Sequence, residues 1–134
     1  MAAESPTEPG DVLSAPIPAT QICPDGAVTE GIDVSYWQET INWSQVAASG
    51  VKFAFIRVSY GLEFYDSQFE NNWSGARANG IYRGAYQYFL AGQDATEQAQ
   101  MLLDAIGEPQ DGDLPPVLDV ESYGNDGISA ATID

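Results

Sequence analysis

The sequence predicts an α/β fold of parallel strands. Short apolar runs alternate with amphipathic stretches, caps and glycines bound the amphipathic stretches, and a repeated strand–helix order implies right-handed crossovers between parallel strands. An open doubly wound sheet or part of a barrel fits this order. A closed barrel of eight β/α units takes about 250 residues. We therefore expect only about the first four β/α units of a barrel-like fold here.

The first elements are bounded by clear signals. Residues 31–35 (GIDVS) form a short apolar run that predicts a strand. Asn42 is suited to cap a helix over 43–49 (WSQVAAS), which Gly50 ends. Residues 51–58 (VKFAFIRV) are rich in β-branched and aromatic side chains and predict the second strand.

The second helix and the third strand are predicted from the same kinds of signal, namely a cap, a terminal glycine and the spacing of apolar residues. Asp66 is predicted to cap the helix, and Gly80 to end it. Three apolar residues recur at helical spacing between them: Phe69, Trp73 and Ala76. The indole rings of Trp43 and Trp73, both on predicted helices, are expected in the core. Residues 81–89 (IYRGAYQYF) predict the third strand.

The last complete unit begins at Asp94, which has capping-box spacing to Glu97 and opens a helix that ends at Gly107. A fourth strand is predicted over 117–121 (VLDVE). Ser129 is suited to cap one more helix.

The N-terminal segment has a different composition. Residues 1–28 are rich in Pro, Ala, Ser, Thr and Glu without sustained periodicity, which predicts a leader or linker before a domain over 29–134. The segment lacks the basic and apolar regions of a signal peptide. Cys23 is the single cysteine, so an internal disulfide and a cysteine zinc cluster are excluded.

Charge and composition exclude several functions. The chain carries 20 acidic and 4 basic residues, a net charge of -16, so it lacks the basic face that nucleic acid or an anionic membrane surface requires. It has no long apolar run for membrane insertion. With no histidine, Ser-His and Cys-His systems and HExxH zinc sites are excluded. Carboxylates, helped by tyrosine, remain for proton transfer.

The carboxylates most suited to chemistry are Asp119 and Glu121. Their spacing of two on one predicted strand places both on the same face. Two such groups repel each other and resist desolvation, which raises the pKa of at least one of them. The alternative is that the strand ends at Val120 and both carboxylates are hydrated. Asp33 ends the first strand on the same rim, where it either joins this site or caps a turn.

Aromatic residues surround these acids. Tyr86 and Tyr88 share one face of the third strand, where catalysis and simple packing are both open. Four further rings are expected in the loops at the same rim: Tyr36, Trp37, Tyr60 and Tyr65. Exposed rings beside carboxylates suit a sugar-binding cleft, because rings stack on the apolar faces of pyranoses.

Five linked motifs make the family resemblance specific. The motifs are GIDVSYWQ followed by INW at 31–43, SGVKFAFIRVSYG at 49–61, D-x-x-F-x-x-N-W at 66–73, G-x-x-x-G-A-Y-Q-Y-F at 80–89 and LPPVLDVE at 114–121. On these motifs the chain resembles the glycoside hydrolase family 25 lysozymes over roughly residues 29–123. Many members carry histidine where this chain has Tyr36 or Gln87.

The resemblance implies a β/α barrel-like fold and hydrolysis of the β-1,4 bond between N-acetylmuramic acid and N-acetylglucosamine in peptidoglycan, without a cofactor or metal. Glu121 would be the general acid, and Asp119 would support the substrate's acetamido group as internal nucleophile. Asp33 would tune its neighbours within the site. The substrate-binding side chains would be Tyr86, Tyr88, Tyr60 and Trp37.

Two rival interpretations remain open. One is a non-catalytic glycan-binding protein or an inactive fragment of such an enzyme, and the other is a divalent metal site at Asp33, Asp119 and Glu121. The family also continues through further strands, which bring another acid and close the barrel. We therefore expect the chain alone to self-associate through exposed barrel edges and to be inactive, and we expect the protein to be secreted or at the cell envelope, with peptidoglycan strands as its partner.

Overall fold

A computed structural model describes residues 25–128, in which one sheet is covered on one face by helices. The predictions for Cys23, Ser129 and residues 1–24 lie outside the described residues. The strands are β1 (Gly31–Val34), β2 (Phe53–Tyr60), β3 (Phe64–Tyr65), β4 (Tyr82–Tyr88) and β5 (Val117–Asp119). The α-helices are α1 (Trp43–Ala48), α2 (Phe69–Ala78) and α3 (Ala95–Ile106), and a 3₁₀ turn covers Tyr36–Gln38.

The parallel order of the sheet is confirmed. The strands lie in the order β1-β2-β4-β5, and every neighbouring pair in that order is parallel. The short β3 was not predicted; it pairs antiparallel with the end of β2. Gly61, with φ 53°, lies between these strands in a conformation that favours glycine.

The end of β2 contains an irregularity that determines which side chains share a face. Arg57 is paired with Tyr86, whereas Tyr60 is paired with Tyr88, because the register shifts between Arg57 and Ser59. Two positions on β4 therefore match three on β2, as in a β-bulge. As a result Arg57 and Tyr60, which strict alternation would separate, follow the same face as their partners.

The helices cover the opposite face of the sheet. The core combines small and branched side chains of the strands with large side chains of the helices: Val34, Ala54, Ile56, Val58 and Ala85 from the sheet, and Trp43, Phe69, Trp73, Ala76 and Leu102 from the helices. The predicted core positions of both tryptophans are confirmed. Among residues 25–128, no helix is both long and apolar enough to cross a membrane.

The helix caps were predicted with mixed success. Asn42 accepts a hydrogen bond from Gln45 N and Asp94 accepts one from Glu97 N, so both predicted caps are confirmed. The prediction for Asp66 is wrong, because Gln68 occupies the N-cap position of α2. The carboxylate of Asp66 is buried and paired with an arginine instead.

Candidate active site

The carboxyl ends of β1, β2, β4 and β5 surround a groove of about 630 Å³. It contains most of the residues that the sequence predicted for the site: Asp33, Trp37, Tyr86, Tyr88, Asp119 and Glu121. A second groove of about 670 Å³ lies between α2 and α3 and contains none of them. We take the first groove as the candidate site because it lies at the carboxyl ends of the parallel strands and brings Asp119 and Glu121 together.

Glu121 and Asp119 interact in this groove. The sequence predicted a strand over 117–121 that includes Glu121, but β5 ends at Asp119, so Glu121 lies just beyond the strand and is exposed. Partial desolvation nevertheless raises the pKa of Glu121, and the charge of Asp119 raises it further. Protonation is therefore favoured at Glu121.

Asp33 faces the groove from β1, where it is exposed and pairs in register with Phe55. Burial raises the pKa of Tyr86 to about 12; the charge of Arg57 opposes this shift, while Asp33 and Asp119 add to it. The Tyr86 hydroxyl lies within electrostatic reach of both carboxylates and keeps its proton at neutral pH.

Tyr88 forms a wall of the groove and also anchors a loop. Its hydroxyl donates to the backbone oxygen of Tyr123 at 3.0 Å, and its ring centroid lies 4.7 Å from that of Tyr60. Burial raises the pKa of Tyr88 to about 12, and Glu121 is the next contributor. Tyr60 is not among the residues that line the groove and packs behind Tyr88.

Trp37 presents the most exposed large ring of the groove, with 61% of its surface accessible. It lies in the 3₁₀ turn after β1, which Ser35 caps through its side chain. Its ring centroid is 4.5 Å from that of Tyr36. Tyr65, predicted for the same rim, lines the other groove, and its hydroxyl donates to Glu70 at 3.1 Å.

Arg57 is a groove residue that the sequence analysis did not select. Its Nε donates to Asp66 Oδ2 at 3.1 Å, and its guanidinium lies 5.2 Å from the centroid of the Tyr36 ring. The signal was present in the sequence, since an arginine interrupts the apolar run of β2. Charged side chains inside such a strand are rare unless they are paired.

The three carboxylates do not form a metal site in this arrangement. Among residues 25–128, no group of three or more Cys, Asp or Glu side chains is placed to hold a metal ion. The geometry thus gives no support to the metal interpretation of Asp33, Asp119 and Glu121.

Comparison with known proteins places this geometry in context. The profile described as "Glycosyl hydrolases family 25" matches residues 32–133. The chain is 43% identical over 106 residues to "Uncharacterized protein YegX" of Escherichia coli K12, covering 75% of this chain and 39% of that protein. It is 38% identical over 100 residues to "Lysozyme M1" of Streptomyces globisporus, covering 72% of this chain and 34% of that lysozyme.

Solved structures give the same picture. A family 25 glycosyl hydrolase from Bacillus anthracis superposes with a TM-score of 0.72 at 28% identity, covering 84% of this chain and 52% of that one. A bacterial lysozyme from Streptomyces coelicolor superposes with a TM-score of 0.65 at 39% identity, covering 71% and 45% respectively. The chain therefore spans about half or less of each protein it matches.

Proposed function

The chain belongs to glycosyl hydrolase family 25, and from this premise we propose that the protein hydrolyses the β-1,4 bond between N-acetylmuramic acid and N-acetylglucosamine in bacterial peptidoglycan. The observation that carries the proposal is the placement of Glu121 and Asp119 in one groove, where partial desolvation and then the charge of Asp119 raise the pKa of Glu121. Relatives named lysozyme and muramidase support the choice of substrate.

The two carboxylates have separate roles in this proposal. Glu121 protonates the departing glycosidic oxygen, for which its raised pKa is suited. Asp119 orients the substrate's acetamido group, whose oxygen attacks the anomeric carbon from within the substrate as the bond to the departing glycosidic oxygen breaks. Negative charge on Asp119 also stabilises the positive charge that develops on the sugar ring.

The other groove residues bind and orient the sugar. Asp33 and Tyr86 lie next to the acid pair and supply hydrogen-bonding groups. Trp37 offers an exposed ring for stacking on a pyranose. Tyr88 shapes the wall, and Tyr60 supports it from behind.

We propose that residues 29–134 form the N-terminal part of a larger catalytic domain. The edge strand β5 is paired on one side by β4, and its apolar residues Val117 and Leu118 are 40% and 53% exposed. Further β/α units pairing at β5 would cover this edge, and without them the edge would favour self-association. A site of action outside the cell or at its envelope follows from the substrate.

The test is Glu121→Gln in the full-length gene product. Loss of a general acid should reduce lysis of purified peptidoglycan by about two to four orders of magnitude, because the amide cannot donate the proton. Wall turbidity gives the rate, and identification of the new reducing end gives the bond. The matched control is Glu70→Gln in the second groove, which should leave the rate unchanged.

Two results would count against the proposal. Unchanged lysis by Glu121→Gln would remove Glu121 from the mechanism, whereas glycan binding without any turnover by the unaltered protein would favour the non-catalytic interpretation.

Exhaustive chelation with EDTA should not change the rate of wall lysis. A rate that falls with EDTA and returns with one divalent ion would favour the metal interpretation.

A further inference from the structure

A buried side-chain amide, that of Asn125, helps to hold the segment after β5 to the rim, and the residue is 8% exposed. Its Nδ2 donates to Glu121 O at 2.9 Å and to Phe89 O at 2.9 Å. Its Oδ1 accepts from Ala91 N at 2.7 Å. Both amide hydrogens and the oxygen are therefore used, and all the bonds lead either to Glu121 or to the segment after β4.

The segment after β4 is itself fixed from a second direction. Gln98 of α3 accepts from Leu90 N at 3.0 Å and donates to Leu90 O at 2.9 Å. Phe89 N donates to Asp119 O at 2.8 Å. Residues 89–91 thus form a rigid support, bound by Gln98 from the helix side and by Asn125 from the side of the groove.

Glu121 depends on this support because the sheet no longer holds it. The pairing of β4 with β5 ends at Tyr88 and Asp119. The loop beyond is tightly packed: a Cβ on Gly124, where φ is 75°, would come within 2.6 Å of Tyr60 Oη and 2.7 Å of Leu90 Cδ2. The backbone of Glu121 is therefore held by a loop contact rather than by strand pairing.

We infer that Asn125 is a positioning residue for Glu121, which holds the carboxyl group of the proposed general acid beside Asp119 by fixing the backbone of Glu121 to residues 89–91. The inference rests on the proposed function, in which Glu121 is the acid. The groups that face Glu121 are Asp119 from β5 and Tyr88 from β4. Release of the loop would move the carboxyl group away from both.

The experiment compares two neutral, nearly isosteric substitutions in the full-length protein. Asn125→Leu removes the amide that reaches Glu121, while Gln98→Met removes the amide that binds the same support from the other side without touching Glu121. The pKa of the Glu121 carboxyl group is measured by NMR of ¹³C-labelled side chains without substrate. Rates and pH profiles of wall lysis are measured separately, and thermal melts confirm folding.

In Asn125→Leu the pKa of Glu121 should fall toward the ordinary carboxyl range, because the carboxyl group is separated from the charge of Asp119. The general acid must be protonated, so the alkaline limb of the pH profile should move to lower pH. Because displacement of a reacting group by about 1 Å can cost about 100-fold, kcat should fall by about that factor with a smaller change in KM. Gln98→Met should lower the melting temperature and leave the pKa of Glu121 in place.

An unchanged Glu121 pKa in folded Asn125→Leu, or equal shifts in both variants, would overturn the inference. If Asn125→Leu does not fold, Asn125→Ser provides the same comparison, since its hydroxyl is too short to reach Glu121 and Ala91 together. Absence of wall lysis by the unaltered protein would reject the proposed function alone, because the titration of Glu121 does not depend on turnover.

Discussion

Two buried arginine–aspartate pairs, one on each face of the sheet, differ in how completely their hydrogen bonds are used. On the helix face, Arg83 Nε donates to Asp113 Oδ1 at 2.7 Å and Nη2 donates to Oδ2 at 3.4 Å. Its Nη1 donates to Trp73 O at 2.8 Å, and its guanidinium stacks 3.9 Å from the centroid of the Trp73 ring. The pair joins β4, α2 and the loop before β5.

On the groove face, Arg57 makes a single hydrogen bond to Asp66, and its Nη2 is buried without a partner within residues 25–128. The Asp66 carboxylate makes more hydrogen bonds, since it also accepts from Tyr36 N and Gln68 N. An arginine–aspartate pair can therefore have a different role on each face of the sheet. Where each guanidinium nitrogen makes a hydrogen bond, the pair stabilises the fold, and where a buried nitrogen has no partner within residues 25–128, the pair lies in the candidate site.

The largest loss of stability is expected for Arg83→Met, which leaves the Asp113 carboxylate buried beside fewer hydrogen-bond donors. Removing one partner of such a pair costs about 3–5 kcal/mol, to be measured as the free energy of unfolding in urea. The control is Arg77→Met: Arg77 lies 3.6 Å from Asp113 and its side chain is 44% exposed, so the loss should be about 0–1 kcal/mol. Equal losses of unfolding free energy in the two variants would show that burial of the Arg83–Asp113 pair does not determine its contribution to stability.

Arg57→Met should destabilise less, by about 1–3 kcal/mol, because one hydrogen bond is lost and Asp66 keeps two backbone donors. The same substitution removes the positive charge that lies in the groove near Tyr86. Wall lysis should therefore fall further in Arg57→Met than in Arg83→Met at a temperature where both are folded. The reverse order in both measurements would contradict the division of roles.

The smallest effect is expected in the pH dependence of the free energy of unfolding at acidic pH, to which Asp113 contributes. Partial burial alone would raise the pKa of Asp113, but Arg83, the N–H of Gln110 and Arg77 lower it below the ordinary value of 3.8. The stabilisation is present above that ordinary value and is lost as the pH falls through the lower pKa of the folded state. Urea unfolding from neutral pH to about pH 2 should thus be less pH-dependent in Asp113→Asn, and an unaltered pH dependence would contradict this assignment.

Local patterns were sufficient to predict most of the fold. The apolar runs identified β1, β2, β4 and β5, and side-chain caps identified the starts of α1 and α3, because these signals depend on neighbours within a few residues. The convergence of Asp33, Tyr86 and Asp119 was also predictable, since parallel strands bring their carboxyl ends to one rim.

Features that depend on distant partners were missed. Asp66 has a good capping position in the sequence, but Gln68 is the N-cap of α2, and the Asp66 carboxylate binds Arg57 and Tyr36 N as well as Gln68 N. The register shift after Arg57 follows from pairing with β4, which alternation within β2 does not reveal. Asn125 was missed for the same reason, since its partners lie up to 36 residues away along the chain.

The placement of the three tryptophans gives the protein a built-in optical reporter. Trp43 and Trp73 are 6% and 9% exposed in the core, whereas Trp37 is 61% exposed at the groove. Intrinsic fluorescence should therefore contain a blue-shifted emission that acrylamide quenches poorly and a red-shifted emission, from Trp37, that it quenches readily. A glycan fragment seated in the groove would shield only the second component, so occupancy could be followed without a label and separately from unfolding, which alters both.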